Sequence, residues 1–350
     1  MVRRQGDHSQ LWRHLFQIVF LVLNLVLGAE LYAWVVSLSR AGGPLASHPA
    51  GVEGWLPIAG LMNLKYWLVS GHVPAIHPAA MFLLIAFLAI TFLLRKAFCS
   101  WLCPVGTLSE GLWRLGKKIF GRNFRLPRGL DLPLRGMKYV LLGFFVWAVA
   151  GMSVAAIDGF MRSPYGVIAD VKMLDFFRFL GTTGIVVIGL LVVGSILVKD
   201  FWCRYLCPYG ALLGIVSLMS PTAIRRDPVS CIDCGKCAKA CPAGLPVDRL
   251  ETVRSVECSA CLSCVTACPV ADTLDLSLPR LAAGRGDDRK VYRGRKGRTV
   301  HGWAVATAIA GIFVSVVGFA KLSGHWQSQV PASVYQQLVP NAAQVQHPMP

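Results

Sequence analysis

Twelve cysteines stand in this 350-residue chain, and every one belongs to a short regular motif. Eight fall in two copies of C-x-x-C-x-x-C-x-x-x-C-P: Cys231, Cys234, Cys237 and Cys241 ahead of Pro242, then Cys258, Cys261, Cys264 and Cys268 ahead of Pro269. The other four form two C-x-x-x-C-P pairs, Cys99 with Cys103 and Cys203 with Cys207. Thiolates at this density ligate soft metals or iron–sulfur clusters. Paired zinc sites need only two C-x-x-C pairs and leave the third cysteine and the proline of each run unexplained. No cysteine is left over for a structural disulfide, and free thiols point to a reducing compartment.

The doubled run is the bacterial ferredoxin pattern, in which each run gives three thiolates to one [4Fe–4S] cluster and its fourth to the other. On that pattern Cys231, Cys234, Cys237 and Cys268 hold one cluster, and Cys258, Cys261, Cys264 and Cys241 the second. Each proline stops the short helix that precedes it. Electron transfer is the function such a module carries.

The elements around these cysteines are those of a membrane protein. Hydrophobic residues make up 55% of the chain and charged ones only 15%, yet the net charge is +17. Five apolar segments, at about 15–38, 79–94, 139–157, 181–198 and 302–320, are read as membrane helices at 1.5 Å per residue. The fold expected is therefore an α-helical integral membrane protein with an inserted cytoplasmic 2[4Fe–4S] ferredoxin-like domain. Cys99 and Cys203 are 104 positions apart, as are Cys103 and Cys207, so two spans plus one C-x-x-x-C-P form a parallel internal repeat.

Along the chain this gives a cytoplasmic N-terminus (1–14), a first membrane repeat (15–103), a basic linker (104–137), a second repeat (138–220), the ferredoxin domain (225–278), a second basic linker (279–301), a fifth helix (302–320) and a polar, poorly ordered periplasmic tail (321–350). Within 39–78, the apolar stretch 56–71 reads as interfacial or re-entrant. The segment 106–120 alternates apolar and basic residues at helical spacing, as in a helix lying on an anionic membrane surface or docking an acidic partner. With the motifs and both basic linkers placed inside, only Arg40, Lys65, Arg162, Lys172, Arg178 and Lys321 of the 35 Lys and Arg fall outside. That is the positive-inside pattern of a bacterial inner-membrane protein. It also accounts for the basic charge without nucleic acid.

Two C-x-x-x-C-P motifs closing membrane spans, followed by a doubled ferredoxin run, resemble the membrane polyferredoxins of the NapH, MauN and NosR type over about residues 11–275. The resemblance implies electron exchange between the quinone pool and a periplasmic oxidoreductase system, with NapH as the quinol-dehydrogenase component of periplasmic nitrate reduction. It also implies a different role as an electron-donating maturation factor fed by a cytoplasmic flavodoxin or ferredoxin. The chain departs from NosR in lacking a large flavin-binding domain ahead of the first span.

At i and i+4 on a helix, each C-x-x-x-C-P pair shares one face. Together Cys99, Cys103, Cys203 and Cys207 can form a four-thiolate cage for a third cluster or a soft metal; a redox-active dithiol is the other chemistry open to them. Quinol oxidation releases protons and needs a nearby acid, base or hydrogen-bond acceptor; the expected outer-side candidates for such a quinone site are Glu30, His72, His77, Asp158, Arg162 and Tyr165. An acid within a span is expensive, so Glu30 is expected to face the bundle or a watery cavity, or to reach the interface.

Overall fold

The computed structural model describes residues 8–39, 47–278 and 299–348. Arg3, Arg4, Arg40 and most of the second basic linker lie outside the described residues. The chain is mostly helical, and its residues form two compact units.

Among the described residues, three helices are long and apolar enough to cross a membrane: Ser9–Ser39, Gly129–Gly151 and Gly302–Leu322. A fourth crossing is available if Ala169–Arg178 and Thr182–Leu197, bent by 82° at their break, act as one span. The described residues thus supply three to four candidates for the five expected spans. The segments expected to cross at 79–94 and 181–198 form helices of 17 and 16 residues, which reach about 25 Å, short of a hydrocarbon core of roughly 30 Å. The expected 139–157 span instead begins at Arg128 and stops at Gly151. There Ser153 starts a new helix, Val154–Arg162, its Oγ accepting the Ala156 N–H at 3.1 Å.

The first unit comprises Met1–Leu21, Leu88–Tyr139 and Leu191–Ile312, and holds all twelve cysteines. A three-stranded antiparallel sheet of order β2-β1-β3 forms from β1 (Ala223–Arg226), β2 (Thr252–Val253) and β3 (Leu274–Ser277). Ile224 pairs with Val253 on one side and Leu276 on the other. All three are about 1% exposed, so this register puts their side chains into the module's core. The helix Pro104–Phe120 fulfils the amphipathic reading of 106–120. Leu108, Leu115 and Ile119 are exposed beside Lys117 and Lys118.

The second unit comprises Val22–Phe87, Val140–Leu190 and Phe313–Pro350. Its core gathers Leu31, Trp34, Val52, Met62, Ile157, Ile168 and Val171 with Tyr335, Val339 and Ala342. The tail is thus folded where little order was expected: Ala332–Leu338 is a helix, and Tyr335 and Val339, four residues apart, bury one face of it. The apolar stretch in 39–78 is the helix Pro57–Ser70, closed by Gly71 in the left-handed region at φ 73°. Of the 35 Lys and Arg in the chain, this unit contains only the six expected on the outer side.

Candidate functional site

Each ferredoxin run folds as a loop followed by a one-turn helix, Lys236–Ala240 in the first and Ser263–Thr266 in the second. Within the loops the backbone turns left-handed at equivalent places, Asp233 and Gly235 against Ala260 and Leu262, with φ between 48° and 65°. Three of the four carry side chains that disfavour this conformation, and backbone N–H groups gathered by such turns form concavities suited to anionic clusters. Pro242 drives Cys241 into extended conformation at the end of its helix (φ −67°, ψ 119°).

Two cavities follow, each enclosing about 370–380 Å³ of empty space. One is lined by Cys231, Cys234, Cys237 and Cys268. The other is lined by Cys241, Cys258, Cys261 and Cys264. The fourth cysteine of each run thus faces the cavity of the other run. Among the described residues no three His, Cys, Asp or Glu side chains converge on a single metal ion. Thiolates on a cubane bind separate irons and stand further apart, so the donor sets fit clusters better than zinc.

The C-x-x-x-C-P pairs are built differently from the expectation. Pro104 and Pro208 force the preceding cysteines out of helical conformation, so the two members of each pair do not share a helix face. Cys99 and Cys203 ride on one-turn helices, Ala97–Trp101 and Phe201–Tyr205. Cys103 and Cys207 cap the helices Pro104–Phe120 and Pro208–Ser217, and Cys207 Sγ accepts the Gly210 N–H at 3.2 Å. The four thiols lie near enough to act on one another electrostatically: Cys203 is influenced by Cys99, Cys103 and Cys207. Burial pushes all four up, Cys103 to about 11. Only a bound cation or cluster converts such a set to thiolates at neutral pH. Lys96 stands beside Cys99, Cys203 and Cys207.

A third cavity, open to solvent, is lined by Cys99 and Cys203 and also by Cys261, Pro242 and Ala243 of the ferredoxin runs. The segment 255–261 closes against the helix ends through side chains that sequence reasoning did not single out. Arg95 Nη2 donates to Ser255 O at 2.8 Å, Ser100 Oγ to Ser259 O at 2.6 Å, Trp101 Nε1 to Ala260 O at 3.1 Å and Gln10 Nε2 to Cys261 O at 2.9 Å. Lys138 pairs with Glu257 at 2.6 Å. The guanidinium of Arg95, fully buried, also faces the Cys258 thiol.

The six quinone-site candidates are not brought together. Glu30 is exposed on Ser9–Ser39, outside any bundle interior. His72 is exposed, its ring bonded to Ser70 O at 2.8 Å. Asp158 and Arg162 form an exposed ion pair at 2.7 Å, and Tyr165 packs on His347 with ring centroids 4.7 Å apart. Only His77 is buried, and it stands with Glu53, Asp170 and His48, which sequence reasoning missed. The available signal was an acid in an apolar setting: Glu53 sits in AGVEGWLP, with no other charge nearby.

Comparison with known proteins adds the following. Residues 76–123 and 180–226 each match the family model of a 4Fe-4S binding domain, and residues 223–278 that of a 4Fe-4S dicluster domain. The Escherichia coli K12 protein YccM, whose name describes an electron transport protein, is 50% identical over 96% of this chain and 92% of its own length. The methylamine utilization ferredoxin-type protein MauN of Methylorubrum extorquens is 29% identical over 54% of this chain and 62% of its own. The ferredoxin-type protein NapH of Haemophilus influenzae is 24% identical over 66% and 74%. No solved structure matches.

Proposed function

Because the chain belongs to the membrane polyferredoxins that include YccM, NapH and MauN, and is an iron–sulfur electron transport protein, we propose that it takes electrons from quinol in the bacterial inner membrane and passes them toward a periplasmic oxidoreductase. The observation that carries this reading is the pair of four-cysteine cavities in one unit with the C-x-x-x-C-P thiols, joined to them by a cavity that Cys99, Cys203 and Cys261 all line.

Cys231, Cys234, Cys237 and Cys268 hold one [4Fe–4S] cluster; Cys241, Cys258, Cys261 and Cys264 hold the second. Cys99, Cys103, Cys203 and Cys207 hold a third. When bound, these groups supply one-electron acceptors. The protein's own part is to exclude water and to fix polarity around them. Ile224, Val253, Leu262 and Leu274, all about 1–2% exposed, shield the ferredoxin thiols. Lys96 and Arg95 set buried positive charge beside Cys99 and Cys258. The first unit faces the cytoplasm, in keeping with the concentration of Lys and Arg outside the second unit. The exposed apolar and basic residues of Pro104–Phe120 rest on the anionic leaflet.

The test is anaerobic purification in detergent, with iron counted per chain and reduction by duroquinol followed by absorbance and EPR. About twelve irons, falling to about eight when Cys103 and Cys207 become Ser, are expected from four irons per cluster, together with reduction by quinol. Eight irons unchanged by those substitutions remove the third site. Clusters reduced only by a strong low-potential donor put the origin of the electrons in the cytoplasm, as in a maturation factor.

A further inference from the structure

The second unit carries four ionisable groups that the iron–sulfur path does not use. Glu53, His77 and Asp170 are fully buried, and the His48 side chain is 10% exposed. They form two imidazole–carboxylate pairs with different degrees of satisfaction. His77 Nε2 donates to Gly166 O at 2.9 Å, and its Nδ1, which makes no hydrogen bond, lies 3.2 Å from the Glu53 Oε1 charge. Glu53 accepts the Ala80 N–H and the Ser328 hydroxyl at 3.1 Å each. This pair is structural.

His48 is different. Its Nε2 donates to Asp170 Oδ2, and Asp170 Oδ1 accepts the Val171 N–H at 2.9 Å. Its Nδ1 is buried with no hydrogen-bond partner among the described residues. In a neutral imidazole whose Nε2–H is donated to a carboxylate, Nδ1 is a hydrogen-bond acceptor. Leaving a buried acceptor unmet costs roughly 1–3 kcal/mol, which a ligand donating a proton there would recover. Two aromatic rings flank it. Tyr335 stacks on the imidazole with centroids 6.0 Å apart and planes 9° apart, and Trp34 stands edge-on to His48 at 4.9 Å and to Tyr335 at 5.1 Å. An acceptor set among flat apolar rings suits a planar aromatic donor of a hydroxyl proton.

We propose that His48, oriented by Asp170, is the base that accepts the first proton of quinol at Nδ1, with the quinol ring held against Trp34 and Tyr335. The inference rests on the quinol reading above and deepens it. Quinol becomes quinone by losing two protons and two electrons. One O–H bond breaks to His48 Nδ1, giving an imidazolium held by the Asp170 carboxylate, and the second O–H proton leaves to water. The oxidant would be the iron–sulfur clusters that the cysteine sets would hold, each able to take one electron at a time. His48 then returns its proton to water and is neutral for the next turnover. His48 touches substrate; Asp170 is a positioning residue.

The test uses the whole protein with its clusters, reduced in parallel by duroquinol and by dithionite, and titrated with the fluorescent quinone-site inhibitor 2-heptyl-4-hydroxyquinoline N-oxide. His48→Gln keeps a donor for Asp170 but cannot take a proton. Expected is a loss of at least about 100-fold in quinol-driven reduction, with dithionite-reducible signal unchanged and inhibitor binding about tenfold weaker. Should His48→Gln fail to retain its clusters, Asp170→Glu, which keeps the charge but displaces the ring, is the second variant. A loss of at least about tenfold in quinol-driven rate with inhibitor binding intact is expected for it. Quinol-driven reduction of either folded variant within about threefold of the native rate overturns the assignment while leaving the quinol reading standing. A native protein that dithionite reduces and duroquinol does not overturns the quinol reading itself, and His48 as its base falls with it.

Discussion

The sharpest physical consequence of the second unit's polar core is a pH-dependent stability carried by His77. Burial alone pushes its imidazole down, but the charge of Glu53, then Asp170 and the Gly166 carbonyl, outweigh that and raise it to about 9 from 6.5. A group whose proton is held more tightly in the folded state stabilises the fold fully below its unfolded value, and that contribution fades as pH rises through its folded value. The difference corresponds to about 3 kcal/mol, present at pH 6 and mostly gone by pH 10. Glu53→Gln removes the anion that holds the proton, so His77 becomes neutral in its buried site. The variant is therefore expected to be about 3 kcal/mol less stable than the native protein at pH 6, with the gap closing toward pH 10. On a scale of 2–4 °C per kcal/mol for a domain of 150–250 residues, this is roughly 6–12 °C in midpoint at pH 6. The assay is thermal unfolding in detergent from pH 6 to 10, native and variant side by side, so that titrations common to both cancel. A gap that stays constant or widens with pH refutes the His77–Glu53 pair as its source.

Two further outcomes test the first unit. Gly106 and Gly210 are repeat counterparts, yet a Cβ at Gly106 lies 2.2 Å from Cys99 O whereas one at Gly210 lies 3.5 Å from Cys203 O; Gly106→Ala is expected to cost about 1–3 kcal/mol through overpacking and to lower iron content, while Gly210→Ala leaves iron per chain unchanged. Arg95→Gln removes a buried cation facing Cys258, and with a charged hydrogen bond worth about 1.5–3 kcal/mol the midpoint of the cluster held there is expected to fall by roughly 65–130 mV in a one-electron EPR titration; an unchanged midpoint with intact clusters contradicts the contact.

Much of the iron–sulfur machinery was legible because cluster ligation compresses its donors into short, repeated spacings. The doubled ferredoxin run, the amphipathic helix Pro104–Phe120 and the 104-residue repeat all reside in local pattern. The same proline rule that ends the ferredoxin helices also breaks the C-x-x-x-C-P segments, and it was applied only to the first. Span bounds were less legible, since hydropathy does not register where a cap such as Ser153 restarts a helix. His48 and Asp170 are 122 positions apart, and no local period links them. The tail's helix was hidden in a Gln- and Pro-rich composition, although Tyr335 and Val339 stand at the spacing that buries one face.

The bond from Ser328 to Glu53 spans 275 positions, and Tyr335, which stacks on His48, lies further downstream still. During synthesis the residues before Ser328 emerge first, so Glu53 waits for its hydroxyl donor and His48 for its aromatic wall until the helix Gly302–Leu322 has been made. Contacts of such long range form slowly, because the intervening chain must be ordered before they are rewarded. Biogenesis is thereby sequential: a nascent chain halted before residue 328 leaves a buried-type carboxylate without one of its partners and stays recognisable to quality control as unfinished. The unit that carries His48 is completed only after Tyr335 has been made.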